Sequence, residues 1–362
     1  MGEPLRVGLV GAGNISGAYL GTLRETKEVR LTAVTDLDRA RAEAAARLMP
    51  YDVAVAGSAG ALVARGDVDA VLNLTVPGQH ADIALLALSA GKHVYGEKPL
   101  ATTREEGNRV LAAARDGGLR VACAPDTVLG TGVQTARKAV DDGLLGTPVA
   151  ATAFMTTAGH ERWHPSPEFY YQPGGGPLLD MGPYYLSALV HLLGPVARVT
   201  GAVSRARDER LIGSGPRAGQ RFPVAVDTHV TGILHHAGGA LTTLVMSFDI
   251  HAAHLPRIEV HGTEGSLSVP DPNVFEGPVE VHRGTAWEAL PVSAGYRNAA
   301  RGVGLTDLAA ALTEDRAHRA SGHLAAHVLD TMLTLLDSAH EGVSLPVHSR
   351  CERPEPVTPP AG

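Results

Sequence analysis

Two glycines near the N-terminus have the spacing of a loop that holds the pyrophosphate of a dinucleotide. Gly11 and Gly13 stand between an apolar run and a helical pattern that begins at Ser16. The first glycine allows a tight turn, the second lets the backbone approach a phosphate closely, and the helix N-terminus offers unpaired N–H groups. We therefore predict a cofactor site here, with Asn14 and Ile15 beside the two glycines.

An acidic residue supports this prediction and bears on the choice of cofactor. Asp36 ends the second predicted strand, 20 residues after Ser16, where a carboxylate accepts hydrogen bonds from an adenosine ribose. Its charge repels a 2′-phosphate, and the neighbouring Leu37, which we include in the site, brings no compensating cation. The sequence therefore favours NAD over NADP. Arg39 and Arg41 keep NADP open as an alternative, although exposed positions on a helix explain both arginines as well.

Two further groups of polar residues follow predicted strands at the point where each strand ends. Thr75, Pro77 and His80 come after one buried strand, and Glu97 and Lys98 come after the next. Ligands of open α/β sheets bind outside the carboxyl ends of the strands. We therefore predict that both groups lie along one edge of the sheet, with Lys98 directed toward the position of a nicotinamide.

These residues need parallel strands to position them, and the first third of the chain has that pattern. Short β-branched runs alternate with longer segments whose apolar residues recur at helical spacing. The predicted strands are 5–10, 29–34, 68–74, 93–95 and 119–123, and the predicted helices are 16–26, 37–48, 79–90 and 103–116. Residues 1–124 are interpreted as one doubly wound α/β domain with a parallel sheet.

The pattern changes after residue 124, where a second α/β domain is predicted over residues 125–348. Its predicted helices are 131–142 and 183–193, with further helical pattern over 304–339, and its predicted strands are 149–155, 225–235, 240–248, 257–261 and 266–269. The links HHAGGA and HGTEGS contain the glycines that tight hairpins need, which indicates an open, largely antiparallel sheet. The proline-rich end, residues 349–362, is expected to be disordered.

The composition argues against several classes of function. The 362 residues suffice for about two domains, and 31 Lys and Arg against 38 Asp and Glu give a net charge of -7. This balance provides no broad cationic surface for nucleic acid or an anionic membrane, and no targeting or membrane-spanning segment is recognisable. Cys123 and Cys351 cannot form a disulfide framework or a thiolate zinc site. We expect a soluble, cytoplasmic protein.

Taken together, the motifs resemble the Gfo/Idh/MocA family, which includes glucose-fructose oxidoreductase and inositol dehydrogenase. The resemblance rests on GAGNIS, the strand end at Asp36, TVPGQH, AGKHVYGEKPLA and GGGPLLDMGPYY, and it covers the chain to about residue 345. It implies a Rossmann domain, an α/β domain whose open sheet forms a homodimer or homotetramer, a nicotinamide cofactor and a sugar or cyclitol substrate. It also implies a catalytic Lys98 before a cis Pro99, and a nicotinamide ribose along Thr75, Pro77, His80 and Glu97.

The second catalytic motif of that family is D-x-G-x-H, and here its last position holds a tyrosine. The matching residues are Asp180 and Tyr184, followed by Tyr185, which we expect to pack in the core. Branches that resemble glucose-fructose oxidoreductase carry tyrosine at this position. A phenol has an ordinary pKa of about 10, against about 6.5 for an imidazole, so a nearby cation must make it more acidic before it serves as a base. In the reductive direction a neutral phenol donates its proton without that help.

From this we predict that Lys98 and Tyr184 handle the proton and that Asp180 orients a substrate hydroxyl or Lys98. Asp126 and Thr127, beyond the strand that ends at residue 123, are further candidates for substrate binding. Both residues are equally explained as a cap of the following helix.

A loop rich in aromatic and imidazole groups completes the predicted substrate site. His160 and His164 are four residues apart around Trp163, but Pro165 and Pro167 argue against the helix that a metal-binding pair would need. We expect no metal site. Instead we predict a loop in which Trp163 faces a sugar ring and the histidines bond hydroxyl groups.

The sequence therefore predicts an NAD-dependent oxidoreductase that transfers a hydride between nicotinamide and a secondary alcohol or ketone of a sugar, sugar derivative or cyclitol. Two alternatives stay open. One is a glycosidase-like lyase that oxidises a ring carbon transiently with retained NAD. The other is a sugar sensor that binds a dinucleotide without turnover.

Overall fold

The computed structural model describes residues 3–358, which divide into two compact units. The first unit contains the chain up to Leu129 together with Asn298–Ala326, and the second contains Gly130–Arg297 and the chain from His327 onward. The division predicted at residue 124 did not anticipate that residues 298–326 group with the first unit. They do so because apolar residues of this segment, Leu305 and Leu308, are fully buried in the same core as Val7.

The elements are numbered in chain order through both units. The strands are β1 (Leu5–Val10), β2 (Val29–Thr35), β3 (Ala54–Val55), β4 (Ala70–Asn73), β5 (His93–Gly96), β6 (Val121–Cys123), β7 (Pro148–Thr156), β8 (Val196–Ser204), β9 (Glu209–Leu211), β10 (Arg221–Pro223), β11 (His229–His236), β12 (Leu241–Ser247), β13 (Ile258–Gly262), β14 (Ser266–Val269), β15 (Glu280–His282), β16 (Trp287–Ala289) and β17 (Leu345–Pro346). The helices are α1 (Ser16–Glu25), α2 (Arg39–Arg47), α3 (Ala59–Val63), α4 (His80–Ser89), α5 (Arg104–Asp116), α6 (Thr131–Asp141), α7 (Pro177–Leu193), α8 (Val303–Thr313) and α9 (Gly322–Glu341).

The first unit is built on a six-stranded sheet with the order β3-β2-β1-β4-β5-β6, and all of its strand pairs are parallel. This confirms the predicted doubly wound sheet. The register aligns the strand ends in one row, because Val10 pairs with Thr35 and Asn73, and Asn73 pairs with Gly96. Residues that follow these strands therefore lie along one edge. We did not predict β3 and α3. At two and five residues they are too short to show a strand or helix periodicity in the sequence.

The second unit is built on a nine-stranded sheet with the order β16-β15-β14-β13-β7-β12-β11-β8-β17. Its pairs are antiparallel except for β7 with β12, which confirms the predicted, largely antiparallel sheet. The links HHAGGA and HGTEGS join antiparallel neighbours, as predicted. A separate two-stranded hairpin, β9 with β10, was not predicted.

Helix α7 begins earlier than the sequence indicated. We predicted a start at Pro183, since proline favours the first turn of a helix, but the helix starts at Pro177 and Pro183 lies inside it. The missing N–H of Pro183 removes one helical hydrogen bond. Burial of an almost continuous apolar surface from Leu178 to Leu192 offsets that loss.

The predicted disorder of the C-terminal tail is wrong for residues 349–358, and residues 359–362 lie outside the described residues. The Arg353 guanidinium donates hydrogen bonds to the carbonyl oxygens of His191 (2.6 Å) and Leu192 (2.9 Å). These carbonyls belong to the last turn of α7 and lack helical partners. The N–H of Val357 donates to Gln134 Oε1 (2.8 Å), and Val357 is buried. The tail is ordered because it supplies these contacts.

Candidate active site

The loop between β1 and α1 requires glycine at its first position. Gly11 has a φ of 94°, and a Cβ there would lie 2.8 Å from the carbonyl carbon of Leu74. At Gly13, by contrast, a Cβ would meet no heavy atom within 4 Å. Gly11 therefore shapes the turn by close packing, while the space beside Gly13 is open to a ligand.

The beginning of α1 is open to an anion. Ile15 occupies the position before the helix and makes no capping hydrogen bond with its side chain, and Asn14 is exposed. The Ser16 hydroxyl donates to the Gly13 carbonyl oxygen (2.7 Å), so it does not cap the helix either. Backbone N–H groups at such a helix start favour a phosphate.

The Asp36 carboxylate lies beside the same loop. Its Oδ2 accepts a hydrogen bond from the N–H of Ala12 (2.7 Å), and its Oδ1 accepts one from the N–H of Asp38 (2.8 Å). The carboxylate therefore joins the glycine loop to the start of α2. Leu37, the next residue, is fully exposed.

The group that follows β4 is held by the His80 side chain. Its Nδ1 lies 2.6 Å from the Pro99 carbonyl oxygen, and its Nε2 lies 2.9 Å from the Thr75 carbonyl oxygen. His80 thus ties the segment after β4 to the segment after β5, and it is buried while Pro77 is exposed. Contact of these residues with the nicotinamide ribose stays a prediction.

Glu97 and Lys98 follow β5 directly, and the Lys98–Pro99 peptide bond is cis, as the resemblance implied. The Glu97 carboxylate is buried; its Oε1 accepts a hydrogen bond from the Tyr19 hydroxyl (2.7 Å) and its Oε2 accepts one from the N–H of Lys98 (2.9 Å). Burial, together with the Glu97 charge, raises the pKa of Tyr19 well above its usual range, so this phenol remains a donor. Glu97 therefore fixes the backbone at Lys98.

Asp126 and Thr127 are fully buried at the end of β6. Asp126 Oδ2 accepts hydrogen bonds from the N–H groups of Gly302 (2.7 Å) and Gly304 (3.1 Å), at the start of α8. Burial raises the pKa of the Asp126 carboxyl group. The sequence offered a capping role as one explanation, but the helix that Asp126 serves is α8 rather than the next one along the chain. A role of either residue in substrate binding stays a prediction.

In the second unit, Asp180 meets a predicted partner from a distant loop. Asp180 and Tyr184 lie one turn apart on α7, and His160 Nε2 lies 3.0 Å from Asp180 Oδ2. The His160 and Asp180 side chains are 14% and 15% exposed, so the contact is largely shielded from water. Both residues were predicted to face the substrate, but no pattern in the sequence indicated their contact. Tyr184 is buried, and Tyr185 is fully buried, as expected of a core residue.

The loop after His160 carries exposed aromatic rings. Trp163 is 57% exposed, with its ring centroid 5.3 Å from that of His160. His164 Nδ1 accepts a hydrogen bond from the N–H of Ser166 (3.1 Å). Trp163 thus has a free face, while one nitrogen of His164 is engaged within the loop.

Sequence reasoning missed three buried polar residues and one half-buried residue in or beside this loop, namely Glu161, Tyr171 and Arg210, and Asp249. Glu161 stands next to His160 in the loop, but Arg210 and Asp249 come from distant segments, so no signal in the sequence joined the four. Within residues 3–358 no group of three or more His, Cys, Asp or Glu side chains is arranged to hold a metal ion. Over the same residues, no helix has the length and apolar character needed to cross a membrane.

Comparison with family models shows to which protein family the chain belongs. Residues 5–124 match the model described as an oxidoreductase family with an NAD-binding Rossmann fold, and residues 133–268 match the GFO/IDH/MocA C-terminal domain. The chain belongs to the Gfo/Idh/MocA oxidoreductase family. The predictions of the family, of an NAD-binding Rossmann domain and of an oxidoreductase are thereby confirmed.

Individual members of the Gfo/Idh/MocA family are similar over most of the chain. The dTDP-3,4-didehydro-2,6-dideoxy-alpha-D-glucose 3-reductase of Streptomyces antibioticus is 31% identical over 82% of this chain and 87% of that protein. The inositol 2-dehydrogenase of Rhizobium meliloti is 27% identical over 80% of this chain and 82% of that protein. The crystal structure of an NAD binding oxidoreductase from Klebsiella pneumoniae has a TM-score of 0.82 at 24% identity, covering 95% of this chain and 99% of that one. This last similarity concerns the fold.

Proposed function

We propose that this protein transfers a hydride between NAD(H) and a secondary alcohol or ketone of a sugar, sugar derivative or cyclitol. The observation that carries the proposal is the row of strand ends in the first unit. That row brings Gly11, Asp36 and Lys98 to one edge of a parallel sheet. Relatives named for a keto-sugar reductase and an inositol dehydrogenase support the substrate class.

The residues of the first unit fit an NAD molecule. Gly13 leaves room for the pyrophosphate, and the start of α1 offers N–H groups. The Asp36 carboxylate lies beside the same loop, which supports its proposed role as an acceptor for the adenosine ribose. When bound, NAD accepts or supplies the hydride at its nicotinamide ring. We propose that NADP binds less well, because Arg39 pairs with Glu43 (2.9 Å) and Arg41 lies 3.5 Å from Asp38, both on the exposed surface of α2.

We propose that Lys98 and Tyr184 handle the proton that accompanies the hydride. In oxidation the substrate hydroxyl loses its proton to a base as the hydride leaves the carbon, and in reduction the Tyr184 phenol donates its proton to the new alkoxide. The positive charge of the Lys98 ammonium favours the anionic form of the substrate oxygen and of the Tyr184 oxygen. Asp180 holds a substrate hydroxyl or Lys98, and Trp163 presents its exposed face to the sugar ring. His160, His164, Asp126 and Thr127 complete the proposed substrate set.

The test is a screen of hexoses, pentoses and cyclitols, followed at the absorbance of the reduced nicotinamide, with NAD and NADP in parallel. Lys98→Ala and Tyr184→Phe are expected to lower turnover at least about 100-fold while NADH still binds. Tyr185→Phe is the matched control, since this neighbouring phenol is buried in the core and should leave turnover unchanged. Near-wild-type turnover in both site variants would contradict the proposed proton chemistry.

The same screen separates the alternative functions. A lyase with transient ring oxidation would retain NAD and release no NADH while consuming a glycoside. A sensor would bind NADH saturably and turn over no polyol or keto-sugar. Net formation of NADH from a polyol, or net oxidation of NADH by a keto-sugar, supports the dehydrogenase.

We also propose that the nine-stranded sheet mediates a homodimer or homotetramer in the cytoplasm. Residues in β7, β11 and β12 support this, since Val149, Ile233 and Leu241 are 48%, 44% and 44% exposed although apolar. Burial of such side chains against a second copy is favourable. Light scattering should therefore give a dimer or tetramer for the wild type and a smaller species for Ile233→Lys. A monomeric wild type would contradict the proposal.

A further inference from the structure

A group of charged side chains, centred on a buried arginine, connects the loop that carries His160 to two other segments of the second unit. The Arg210 side chain is 1% exposed and contacts two carboxylates, with 2.7 Å from its Nη1 to Glu161 Oε1 and a second ion pair to Asp249. We propose that this Arg210 cluster (Arg210, Glu161, Asp249 and Tyr171) fixes His160, and that His160 in turn orients the Asp180 carboxylate for hydride transfer. The inference rests on the proposed function, adds Arg210 to it as a positioning residue, and gives His160 a positioning role through Asp180 instead of direct contact with a substrate hydroxyl.

The contact between His160 and Asp180 defines the geometry of the carboxylate. Because Asp180 Oδ2 accepts at 3.0 Å, the His160 ring carries a proton on Nε2. A carboxylate fixed through one oxygen presents its other oxygen in a defined direction, which a freely rotating aspartate does not. The contact with His160 therefore restricts the Asp180 carboxylate from outside helix α7.

Three aromatic rings hold the His160 ring in place. Its centroid lies 4.5 Å from that of Phe248, 4.7 Å from Tyr170 and 5.3 Å from Trp163. Its Nδ1 is buried and has no hydrogen-bond partner within the described part of the chain. The orientation of the ring thus depends on this packing, on the bond to Asp180 and on the backbone of the loop.

The backbone around His160 is fastened to the Arg210 cluster at successive positions. Arg210 Nη1 donates to the Ala158 carbonyl oxygen (3.3 Å), and the N–H of His160 donates to the Tyr171 hydroxyl (3.2 Å). That hydroxyl in turn donates to the Glu161 carboxylate. Gly159 has a φ of 106°, and a Cβ there would collide with the Glu161 carboxylate and the Arg210 guanidinium. The loop therefore follows the shape of the buried ion pair.

The hairpin of β9 and β10 is the element that delivers Arg210. On the other side of the guanidinium, Asp249 follows β12, and its Oδ2 accepts a hydrogen bond from the Thr228 hydroxyl (2.6 Å). The hairpin thus connects the His160 loop to the carboxyl end of β12, an interior strand of the large sheet. A second ion pair between hairpin and loop, Arg217 with Glu168, is 43% and 30% exposed and does not contact the His160 backbone. This pair provides a matched control, because it joins the same two segments outside the cluster.

The experiment measures turnover and NADH affinity in five variants, with L-sorbose plus NADH and myo-inositol plus NAD as probes. His160→Phe keeps an aromatic ring but removes the donor, and His160→Gln returns a donor. Arg210→Met removes the buried charge, Glu161→Gln is the milder change at the same pair, and Arg217→Met is the control.

We expect His160→Phe and Arg210→Met to lower kcat by about 10-fold to 100-fold, with the Kd for NADH within about two-fold of wild type. A primary isotope effect from deuterated NADH should be larger in these variants, because hydride transfer becomes slower than release. His160→Gln should recover most of the lost kcat, and Arg217→Met should match the wild type. If Arg210→Met does not fold, Glu161→Gln is expected to lower kcat in the same way, though less.

A kcat for His160→Phe within about two-fold of wild type would overturn the inference, and so would a His160→Gln variant no better than His160→Phe. If the wild type is active and the variants give either of these two results, the further inference fails but the proposed function stands. A wild type that oxidises or reduces no polyol or keto-sugar contradicts the proposed function instead. In that case NMR of the His160 ring nitrogens tests the contact with Asp180. A proton on Nε2 whose signal shifts in Asp180→Asn supports the inference, and a ring protonated only on Nδ1 overturns it.

Discussion

Four site residues of the first unit follow strands of the sheet within one or two residues, and the hydrogen-bond register of the sheet aligns them: Gly11, Asp36, Thr75 and Lys98. In the second unit, Asp180 depends on His160, which lies 20 residues before it, and the loop of His160 is held by Arg210, which lies 49 residues after Glu161. The first arrangement relies on backbone geometry, and the second relies on the pairing of buried charges.

This difference indicates how each half should respond to change. A site formed by backbone groups is disturbed by an added Cβ atom but by few other side-chain changes. A site held by ion pairs loses its geometry when one member of a pair is removed. A cofactor site at a sheet edge can thus be combined with a substrate site whose geometry is set elsewhere in the chain.

The largest effect is expected for Gly11→Ala. Positive φ strain and contact with the Leu74 backbone together should lower the free energy of unfolding by about 4 kcal/mol and abolish NADH binding. Gly13→Ala should leave the unfolding free energy within about 0.5 kcal/mol of wild type but weaken NADH binding at least about 10-fold. Urea unfolding and NADH titration measure the two quantities. Equal loss of stability in both variants would contradict the distinct roles of the glycines.

The next effect concerns a buried charge in the first unit, Asp307, whose side chain is fully buried. Although burial opposes ionisation, the N–H of Arg319 and the guanidinium groups of Arg319 and Arg316 hold the pKa of Asp307 below its usual range. Its stabilising effect is therefore present above about pH 4 and is lost as the pH falls through the lowered pKa. Asp307→Asn should lower the unfolding free energy by about 3 kcal/mol at pH 7.

Urea unfolding of Asp307→Asn and wild type at pH 7 and pH 3 tests this, and the difference between the two proteins should shrink at the lower pH. NADH affinity should stay unchanged, because Asp307 accepts hydrogen bonds from Arg316 and Arg319 and thereby supports the fold. A stability difference independent of pH would contradict the assignment. Removing a buried charge in the first unit is thus expected to change stability alone, whereas Arg210→Met in the second unit is expected to lower turnover.

A smaller effect is expected from Asp36→Ser. Removal of the carboxylate eliminates both the ribose acceptor and the repulsion of a 2′-phosphate, so the ratio of NADPH to NADH affinity should rise at least about 10-fold. Asp52→Ser is the control, because Asp52 is an exposed aspartate between α2 and β3 and its loss removes the same charge from the same unit. An unchanged ratio in Asp36→Ser would show that cofactor choice does not depend on this carboxylate.

The smallest effect is expected from Trp163→Ala. The exposed ring contributes little to the fold, so the melting temperature should stay constant while KM for the sugar rises about five-fold. The kcat should fall less than in His160→Phe, because Phe248 and Tyr170 still pack against the His160 ring. Trp287→Ala, at a 41% exposed tryptophan in the edge strand β16, should change neither constant. Equal KM values for wild type and Trp163→Ala would remove this residue from the proposed substrate set.

Much of the first unit could be predicted from the sequence because its signals are local. The run before Gly11 is β1 at the predicted bounds, and the helices α1, α2, α4 and α5 end within two residues of the prediction. Periodicity and glycine spacing record such elements directly. Strand ends then place Asp36, Thr75 and Lys98 without further information, because parallel strands share one carboxyl edge.

The amino-acid sequence therefore predicted the two kinds of sheet, the family and the sheet edge of the proposed dinucleotide site. It carried no signal that residues 298–326 group with the first unit, that Asp126 accepts hydrogen bonds from the start of α8, or that His160 contacts Asp180, and these three facts come from the folded structure. The reason is physical. Helix and strand signals arise between residues a few positions apart, whereas a buried arginine stabilises the native fold only beside carboxylates, and the chain that supplies them can come from anywhere.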